Sequence, residues 1–186
     1  MAIGVADGEQ PFAQGVVRFE PAGVETIDGV TASRYRISGA VFGDATTDTV
    51  TGLGTLSISG TTTINTDTIT SAGTQTYTGA VTLGADTTLT TTDSAVLFSS
   101  TVDSTGGARD LTVAAGTGNI TLTGAVGAGS SLDVVALNST GTTTLSAAFT
   151  AGSLTTNAGG TTAINGGAVT TTGAQTYNDA VSLLTQ

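Results

Sequence analysis

Cysteine, histidine, lysine and tryptophan are all absent from this 186-residue sequence. Without cysteine the chain forms no disulfide bond and offers no thiolate to a metal ion. Without histidine and lysine it lacks the side chains that most often act as general bases, activate nucleophiles or bind metals as neutral ligands. Enzymatic chemistry would depend on carboxylates and a few arginines. We therefore expect no catalytic residue, no metal site and no cofactor.

Positive charge is scarce as well, because four arginines stand against fourteen acidic residues and the net charge is −10. Nucleic acids and anionic membrane surfaces both attract cationic partners. The sequence has no apolar run of about 18 residues, the length that spans a bilayer. Its start, MAIGVADGEQ, lacks the basic and apolar regions of a secretory signal. We expect no nucleic-acid binding and no membrane insertion, and we expect that the chain is a fragment or that its export information lies elsewhere.

Aromatic residues make up 4% of the chain and charged residues 10%, whereas 38% of the residues are hydrophobic. Disordered chains combine few aromatics with high charge and low hydrophobicity. This chain instead alternates Val, Ile and Leu with Thr and Ser, which suits the two sides of a strand. The composition predicts an ordered all-β protein.

A long stretch of the sequence occurs twice. Residues 61–83, TTTINTDTITSAGTQTYTGAVTL, recur one hundred positions later as TTAINGGAVTTTGAQTYNDAVSL at 161–183, with twelve of twenty-three positions identical. The matches include Ile64/Ile164, Gly73/Gly173, Tyr77/Tyr177, Val81/Val181 and Leu83/Leu183. Only three tyrosines occur in the chain and two of them match, so composition does not explain the similarity. A match at a fixed period indicates a repeat architecture.

Shorter units divide this period into about five parts of some twenty residues each. Leucines recur at spacings of 22, 21 and 22, at Leu89, Leu111, Leu132 and Leu154. The motif Gly-Thr-Thr-x-Ile/Leu begins at Gly60, Gly141 and Gly160. Units of this length with short strands and no helical pattern predict a parallel β-helix, or β-solenoid, over residues 46–186. Its roughly seven coils, stacked about 4.8 Å apart, would form a rod of about 30–35 Å.

Within this solenoid we expect the matched Ile, Val and Leu positions to point inward, the matched glycines to turn corners, and the two matched tyrosines to cover hydrophobic surface in equivalent coils. A β-sandwich is the alternative, and paired hairpin turns would support it. Asn-Gly occurs once in the array, at 165–166, and Asp-Gly not at all, so we favour the solenoid.

Residues 1–45 differ from the array, since both prolines and all three glutamates lie there. The sequence GVETIDGVTASRYRIS predicts a hairpin with a type I′ turn at Asp28-Gly29, and FAQGVVRFE predicts a further strand. In the second arm, Tyr35 and Ile37 are expected on one side, and Arg34 and Arg36 on the other. We interpret this segment either as a cap at the end of the array or as a strand that pairs with a neighbouring molecule.

Several array segments resemble a known family. VTLGADTTLT, DLTVAAGTGNITLTGAVG, GAQTYNDAV and SLTTNAGGTTAINGGAVTTTG are similar to repeats of large bacterial surface exoproteins, the filamentous-haemagglutinin-like and autotransporter-like adhesins. The resemblance covers residues 46–186. It implies a right-handed parallel β-helix, export across the outer membrane, a cell-surface location and a role in adhesion, biofilm or surface structure. It implies no catalytic residues.

The acidic residues offer the main alternative to a structural role. The closest pairs are Asp44/Asp48, Asp86/Asp93 and Asp103/Asp110. A glycosidase needs two carboxylates about 5–9 Å apart in one cleft. Most of these aspartates stand beside Thr, Ser or Gly, where the side chain typically accepts hydrogen bonds from turn amides, and we favour that role. A polysaccharide lyase would also need cations, and Arg109 is the only one after residue 36.

Two binding functions were also weighed. The calcium-binding nonapeptide GGxGxDxUx does not occur, and GGARDLTVA at 106–114 is only a loose echo of it. Thr-x-Thr sequences suggest a flat array that binds ice or carbohydrate, although their spacing is irregular and Thr suits any exposed strand. They include Thr66/Thr68, Thr74/Thr76 and Thr88/Thr90.

Taken together, these features predict a non-enzymatic shaft or scaffold of a bacterial extracellular surface protein. Its partners would be neighbouring repeats of the same protein or identical subunits end to end, with host or matrix glycans as further partners. The first alternative is a self-assembling subunit of a filament or surface layer. The second is a polysaccharide-binding or ice-binding β-solenoid.

Overall fold

The computed structural model describes the backbone of residues 17–27, 30–43 and 48–184, with side chains from residue 39 onward within these ranges. This part of the chain is all-β and contains no helix, which confirms the predicted fold class. The strands are β1 Val17–Ile27, β2 Val30–Phe42, β3 Thr49–Leu53, β4 Leu56–Ile58, β5 Thr62–Ile64, β6 Thr68–Ser71, β7 Gln75–Tyr77, β8 Val81–Leu83, β9 Thr87–Thr91, β10 Val96–Phe98, β11 Val102–Ser104, β12 Leu111–Gly116, β13 Ile120–Leu122, β14 Leu132–Ser139, β15 Thr142–Leu145, β16 Phe149–Thr156, β17 Thr161–Ile164, β18 Val169–Thr171, β19 Gln175–Tyr177 and β20 Ala180–Leu183.

The strands stack in parallel in three columns, called here faces A, B and C. Face A contains Ile37 of β2, then β4, β7, β10, β13, β15, β17 and β20. Face B contains the end of β2, then β5, β8, β11, the bridge at Val126, the start of β16 and β18. Face C contains β3, β6, β9, β12, β14, the end of β16 and β19. The chain visits A, B and C in turn, which builds the predicted β-solenoid of about seven coils.

Side chains alternate between the interior and the surface along nearly every strand, because successive residues of a strand point to opposite sides. On face A the inward row runs through Ile58, Tyr77, Phe98, Leu122 and Leu145. All five are buried, and the rings of Tyr77 and Phe98 stack with centroids 5.0 Å apart. Each buried aliphatic or aromatic side chain stabilises the fold by about 1.5–3 kcal/mol, so the core is one continuous column.

Coil length is not constant. On face A the register advances by 19 residues from Leu56 to Gln75, by 24 from Val96 to Ile120, and by 19 again from Thr161 to Ala180. Loops outside the ladders absorb the extra residues. The period in the sequence is therefore a weaker guide to position than the strand–corner pattern inside each coil.

The duplicated stretches do not occupy equivalent faces, which corrects the prediction of a five-coil period of one hundred residues. Five coils take 106 residues, from Ile58 to Ile164 on face A. The second copy therefore enters one face earlier: Ile64 lies on face B and Ile164 on face A. The physical reason is that a short strand and its corner form a local unit, and such a unit fits any of the three faces.

The predicted leucine ladder is also out of register. Leu89 stacks on Val113, whereas Leu111 stacks on Thr87 and Val135. The Gly-Thr-Thr motif behaves in the same way, because its copy at Gly60 precedes a strand of face B while the later copies precede strands of face A. Inward positions along a strand were predicted well, but the neighbour above each one was not.

The predicted N-terminal hairpin is present. β1 and β2 pair antiparallel up to the Ile27–Val30 pair, and the proposed turn residues Asp28 and Gly29 lie outside the described residues. The predicted sides of Tyr35 and its neighbours also lie outside the described side chains, as does the start of the FAQGVVRFE segment. The end of β2 joins the first coil, since Ala40 pairs with Thr62. The role of residues 1–45 as a cap or as a strand for a neighbour stays a prediction.

Candidate functional sites: clamped corners, a threonine column and an open last coil

Aspartate and asparagine side chains at the corners hold the next coil. Each accepts a hydrogen bond from a backbone amide 18 to 27 residues away in the sequence. The bonds are Asp110 N to Asp86 Oδ1 (3.1 Å), Thr117 N to Asp93 Oδ1 (2.9 Å), Gly129 N and Ser130 N to Asp103 Oδ1 (2.8 and 3.2 Å), Val134 N to Asp110 Oδ1 (2.9 Å), Thr142 N to Asn119 Oδ1 (2.9 Å) and Ser139 N to Asn157 Oδ1 (2.6 Å). These contacts give the carboxylates a structural use, in agreement with their predicted role at turns.

The acid pairs weighed as glycosidase candidates are distributed over different corners. Asp86 precedes β9 and Asp93 follows it, so a whole strand separates them. Asp103 lies within β11, whereas Asp110 precedes β12 beyond a surface loop. Asp44 lies outside the described residues. Apart from that residue, the fold gives each of these carboxylates its own corner or strand.

Arg109, the cation of the 106–114 segment, bonds within its own loop. Its backbone amide donates to Ser104 Oγ at 3.1 Å, and its side-chain Nε donates to Thr105 O at 3.4 Å. Its carbonyl accepts from Asp133 N in the next coil. Among the described residues, no group of three or more His, Cys, Asp or Glu side chains is placed to hold a metal ion, and no helix is long and apolar enough to cross a membrane.

Face C carries a threonine column that the sequence analysis missed. The outward positions at the same height in successive coils are Thr49, Thr68, Thr88, Thr112, Ala136, Thr155 and Thr176. A second, shorter column places Thr70 over Thr90. The irregular coil lengths hide this regularity in the sequence, because only the strand register brings the threonines into line.

The Thr-x-Thr sequences named from the sequence alone are not one surface. Thr66 is buried at a corner, where its hydroxyl donates to the carbonyl of Asp48. Thr76 lies on face A, between Ser57 and Leu97. Thr88 belongs to the face C column. Only the last of the three therefore contributes to a threonine array.

The two matched tyrosines share a local structure but not an environment. Tyr77 is fully buried on face A, and its hydroxyl donates to Gln75 Oε1 at 2.9 Å. Tyr177 lies on face C, half-buried, and donates to Gln175 Oε1 at 3.1 Å. Burial raises the pKa of Tyr77 far above the ordinary value, and partial burial raises the pKa of Tyr177 in the same direction. Both tyrosines cover core surface, as predicted, but they do so on different faces.

The last coil is open on one side. Val181 and Leu183 stand at the predicted inward positions, above Thr162 and Ile164, yet they are 43% and 69% exposed. Leu184 is exposed as well. The surface formed by β18, β19 and β20 is called here the open coil surface.

A comparison with protein-family models, with curated proteins and with solved structures finds no match to this chain. The resemblance of residues 46–186 to surface exoprotein repeats therefore stands on the sequence segments themselves. The structure adds the β-solenoid, which is consistent with a repeat region.

Proposed function

We propose that this chain is a non-enzymatic shaft or scaffold module of a bacterial extracellular surface protein. The observation that carries the proposal is the continuous interior. Inward side chains of faces A, B and C close the core from Ile58 to Leu154, and corner carboxylates hold each coil to the next. A solenoid of this kind is a stiff body whose length depends on the number of coils.

Shape and chemistry test the shaft directly. Small-angle scattering should give an elongated particle about 34 Å long for seven coils at about 4.8 Å each, before the N-terminal hairpin is added. A lyase and glycosidase assay on acidic and neutral polysaccharides should show no turnover above buffer. Reproducible product release that disappears on substitution of a corner aspartate would overturn the non-enzymatic assignment.

Location is the second part of the proposal, and the exoprotein resemblance supports it. Antibodies raised against the purified chain should label intact cells of the organism that produces it, without permeabilisation. Labelling that requires permeabilised cells would contradict a surface location. An antibody to a cytoplasmic protein of the same cells is the control for membrane integrity.

The threonine column of face C favours one alternative, a solenoid that binds ice or a crystalline polysaccharide. Its hydroxyl-bearing side chains recur about every 4.8 Å along the axis, and the Thr68–Thr70 and Thr88–Thr90 pairs add a spacing of about 6.6 Å along the strand. Thr88→Lys and Thr112→Lys should abolish such binding, while Thr76→Lys and Thr144→Lys on face A should not. Binding to cellulose or chitin and inhibition of ice recrystallisation are the readouts, and equal loss with both pairs of variants would exclude face C as the site.

Self-assembly is the other alternative, because the open coil surface offers unpaired strands at one end. Sedimentation velocity over a hundredfold range of concentration distinguishes it from the shaft. A single species of 18.0 kDa at all concentrations would exclude a filament. Growth into rods with concentration would support it, with identical subunits end to end as the partners.

A further inference from the structure

The last coil reproduces an earlier coil bond for bond. Gln75 Nε2 donates to Ile69 O at 3.2 Å, and Gln175 Nε2 donates to Val169 O at 3.1 Å. The tyrosine hydroxyl two residues later donates back to the glutamine in both copies. A corner hydroxyl also repeats its bond, from Ser71 Oγ and Thr171 Oγ1 to the carbonyl of the glycine two residues later, at 2.7 and 2.9 Å. The two copies are the same structural unit, built on different faces.

The copies differ in what lies above them. In the first, the residues at the four matched positions Gln75, Tyr77, Val81 and Leu83 are at most 1% exposed. In the second, Gln175, Val181 and Leu183 are exposed and Tyr177 is half-buried. The second copy therefore presents to solvent a set of side chains that the first copy buries.

The coil that buries the first copy is residues 84–104. Its strands β9, β10 and β11 pair in parallel with β6, β7 and β8. It supplies the carbonyl of Thr90, which accepts a second hydrogen bond from Gln75 Nε2 at 3.0 Å, and the ring of Phe98, which stacks on Tyr77. It also accepts backbone bonds from Gln75 N at Ala95 O (3.0 Å) and from Val81 N at Thr101 O (2.8 Å).

We propose that the open coil surface is a docking site for one further parallel β-coil with the chemistry of residues 84–104, running on from Leu183 as that segment runs on from Leu83. The coil would supply a carbonyl to Gln175 Nε2, an inward apolar or aromatic side chain over Tyr177, and aliphatic side chains over Val181 and Leu183. This deepens the proposed shaft, because it states which end accepts a neighbouring repeat and what that repeat must contain.

The first coil of a second copy fits this surface less well. Its inward side chains Ala40, Phe42 and Val50 are only 4–9% exposed, so that end of the solenoid is already covered. The continuous geometry of the duplicated unit and the closed opposite end both favour a coil that follows in parallel over a second molecule docked head to tail.

A graft tests the inference with the protein's own sequence. Residues 184–186 are replaced by a copy of residues 84–104, and the control graft carries the same residues in scrambled order. The native-order graft should raise the melting temperature by several degrees and slow amide hydrogen exchange in residues 169–183 by about tenfold or more. The scrambled graft should do neither.

Gln175→Leu adds a readout that general stabilisation would not move. In the present chain it should hardly change the melting temperature, and in the native-order graft it should lower it about as much as Gln75→Leu does. Equal behaviour of the two grafts would overturn the proposal. So would a dimer of the ungrafted chain in which residues 169–183 already exchange slowly, because a second copy would then be the occupant. Neither result bears on cell-surface location, which antibody labelling tests separately.

Discussion

Gln75 is a fully buried polar side chain whose amide is completely engaged. It donates to the carbonyls of Ile69 and Thr90 and accepts from the hydroxyl of Tyr77. A buried polar group without partners costs about 1–3 kcal/mol, so the glutamine and the tyrosine depend on each other. At residue scale the interior is thus an apolar column with one polar network that ties two coils together.

Gln75→Leu should lower the free energy of unfolding by about 2–3 kcal/mol, because three hydrogen bonds disappear and the Tyr77 hydroxyl stays buried without an acceptor. The matched control is Gln175→Leu in the exposed copy, with an expected cost below about 0.5 kcal/mol. Urea unfolding followed by circular dichroism measures both. Equal costs would mean that the buried network contributes nothing beyond its local turn.

Alkaline pH should destabilise the fold through Tyr77. Burial raises the pKa of this tyrosine above its ordinary value of 10.0, so only the unfolded chain ionises there as the pH rises. The stability from the buried neutral phenol is complete below about pH 10 and falls by about 1.4 kcal/mol per further pH unit. Melting temperatures from pH 8 to 11.5 should drop less steeply for Tyr77→Phe than for the unmodified chain. Tyr177→Phe, at the half-exposed position, should change the slope less.

At the scale of the element, the corner decides how closely coils approach. A Cβ atom added at Gly79 would lie 2.2 Å from the carbonyl oxygen of Gly60 in the coil below, and one added at Gly118 would lie equally close to the backbone of Ser94. Glycine at these places permits backbone to rest on backbone, while carboxylates such as Asp103 bind the exposed amides. The corner composition therefore follows from the spacing of stacked strands.

Gly79→Ala should destabilise the fold by about 2–4 kcal/mol, since the added methyl group displaces the backbone of the neighbouring coil. Gly54→Ala is the control, because a Cβ atom there meets nothing within 4 Å and the backbone conformation is ordinary. Thermal unfolding of both variants gives the comparison. If the two variants melted together, coil spacing would not depend on the Gly60–Gly79 contact.

At the scale of the whole molecule, each coil contacts mainly the coils next to it. The strongest contacts within faces A, B and C join consecutive coils, so stability is close to a sum of coil and interface contributions. This organisation predicts that a complete coil can be removed without loss of the fold, whereas a change of register cannot.

Deletion of residues 75–95 removes one coil and places Val96 where Gln75 stood, above Leu56. This variant should keep its β-sheet spectrum and a cooperative melt. Deletion of residues 75–94 differs by one residue and turns Val96 and Phe98 outward, so it should be much less stable. Circular dichroism melts compare the two deletions, and loss of cooperativity in the 21-residue deletion would show that the coils are not interchangeable.

Much of the fold is present in local sequence. Alternation of Thr with Val, Ile and Leu predicts the strands, and the absence of helical periodicity with a recurring unit near twenty residues predicts a solenoid. The side of each strand that faces inward was also predictable at Ile64, Val81 and Leu83, which are buried. The turn role of the aspartates followed from their neighbours, because Asp beside Thr, Ser and Gly accepts bonds from nearby amides.

Which coil lies on which was decided only by the tertiary structure. Coils of 19 to 24 residues shift the register, so that Tyr77 and Tyr177 fall on different faces although the sequence aligns them without a gap. The threonine column of face C and the exposure of Leu183 follow from the same stacking. The physical reason is that a strand–corner unit determines its own inward side, whereas its neighbours across the 4.8 Å spacing depend on every loop length before it.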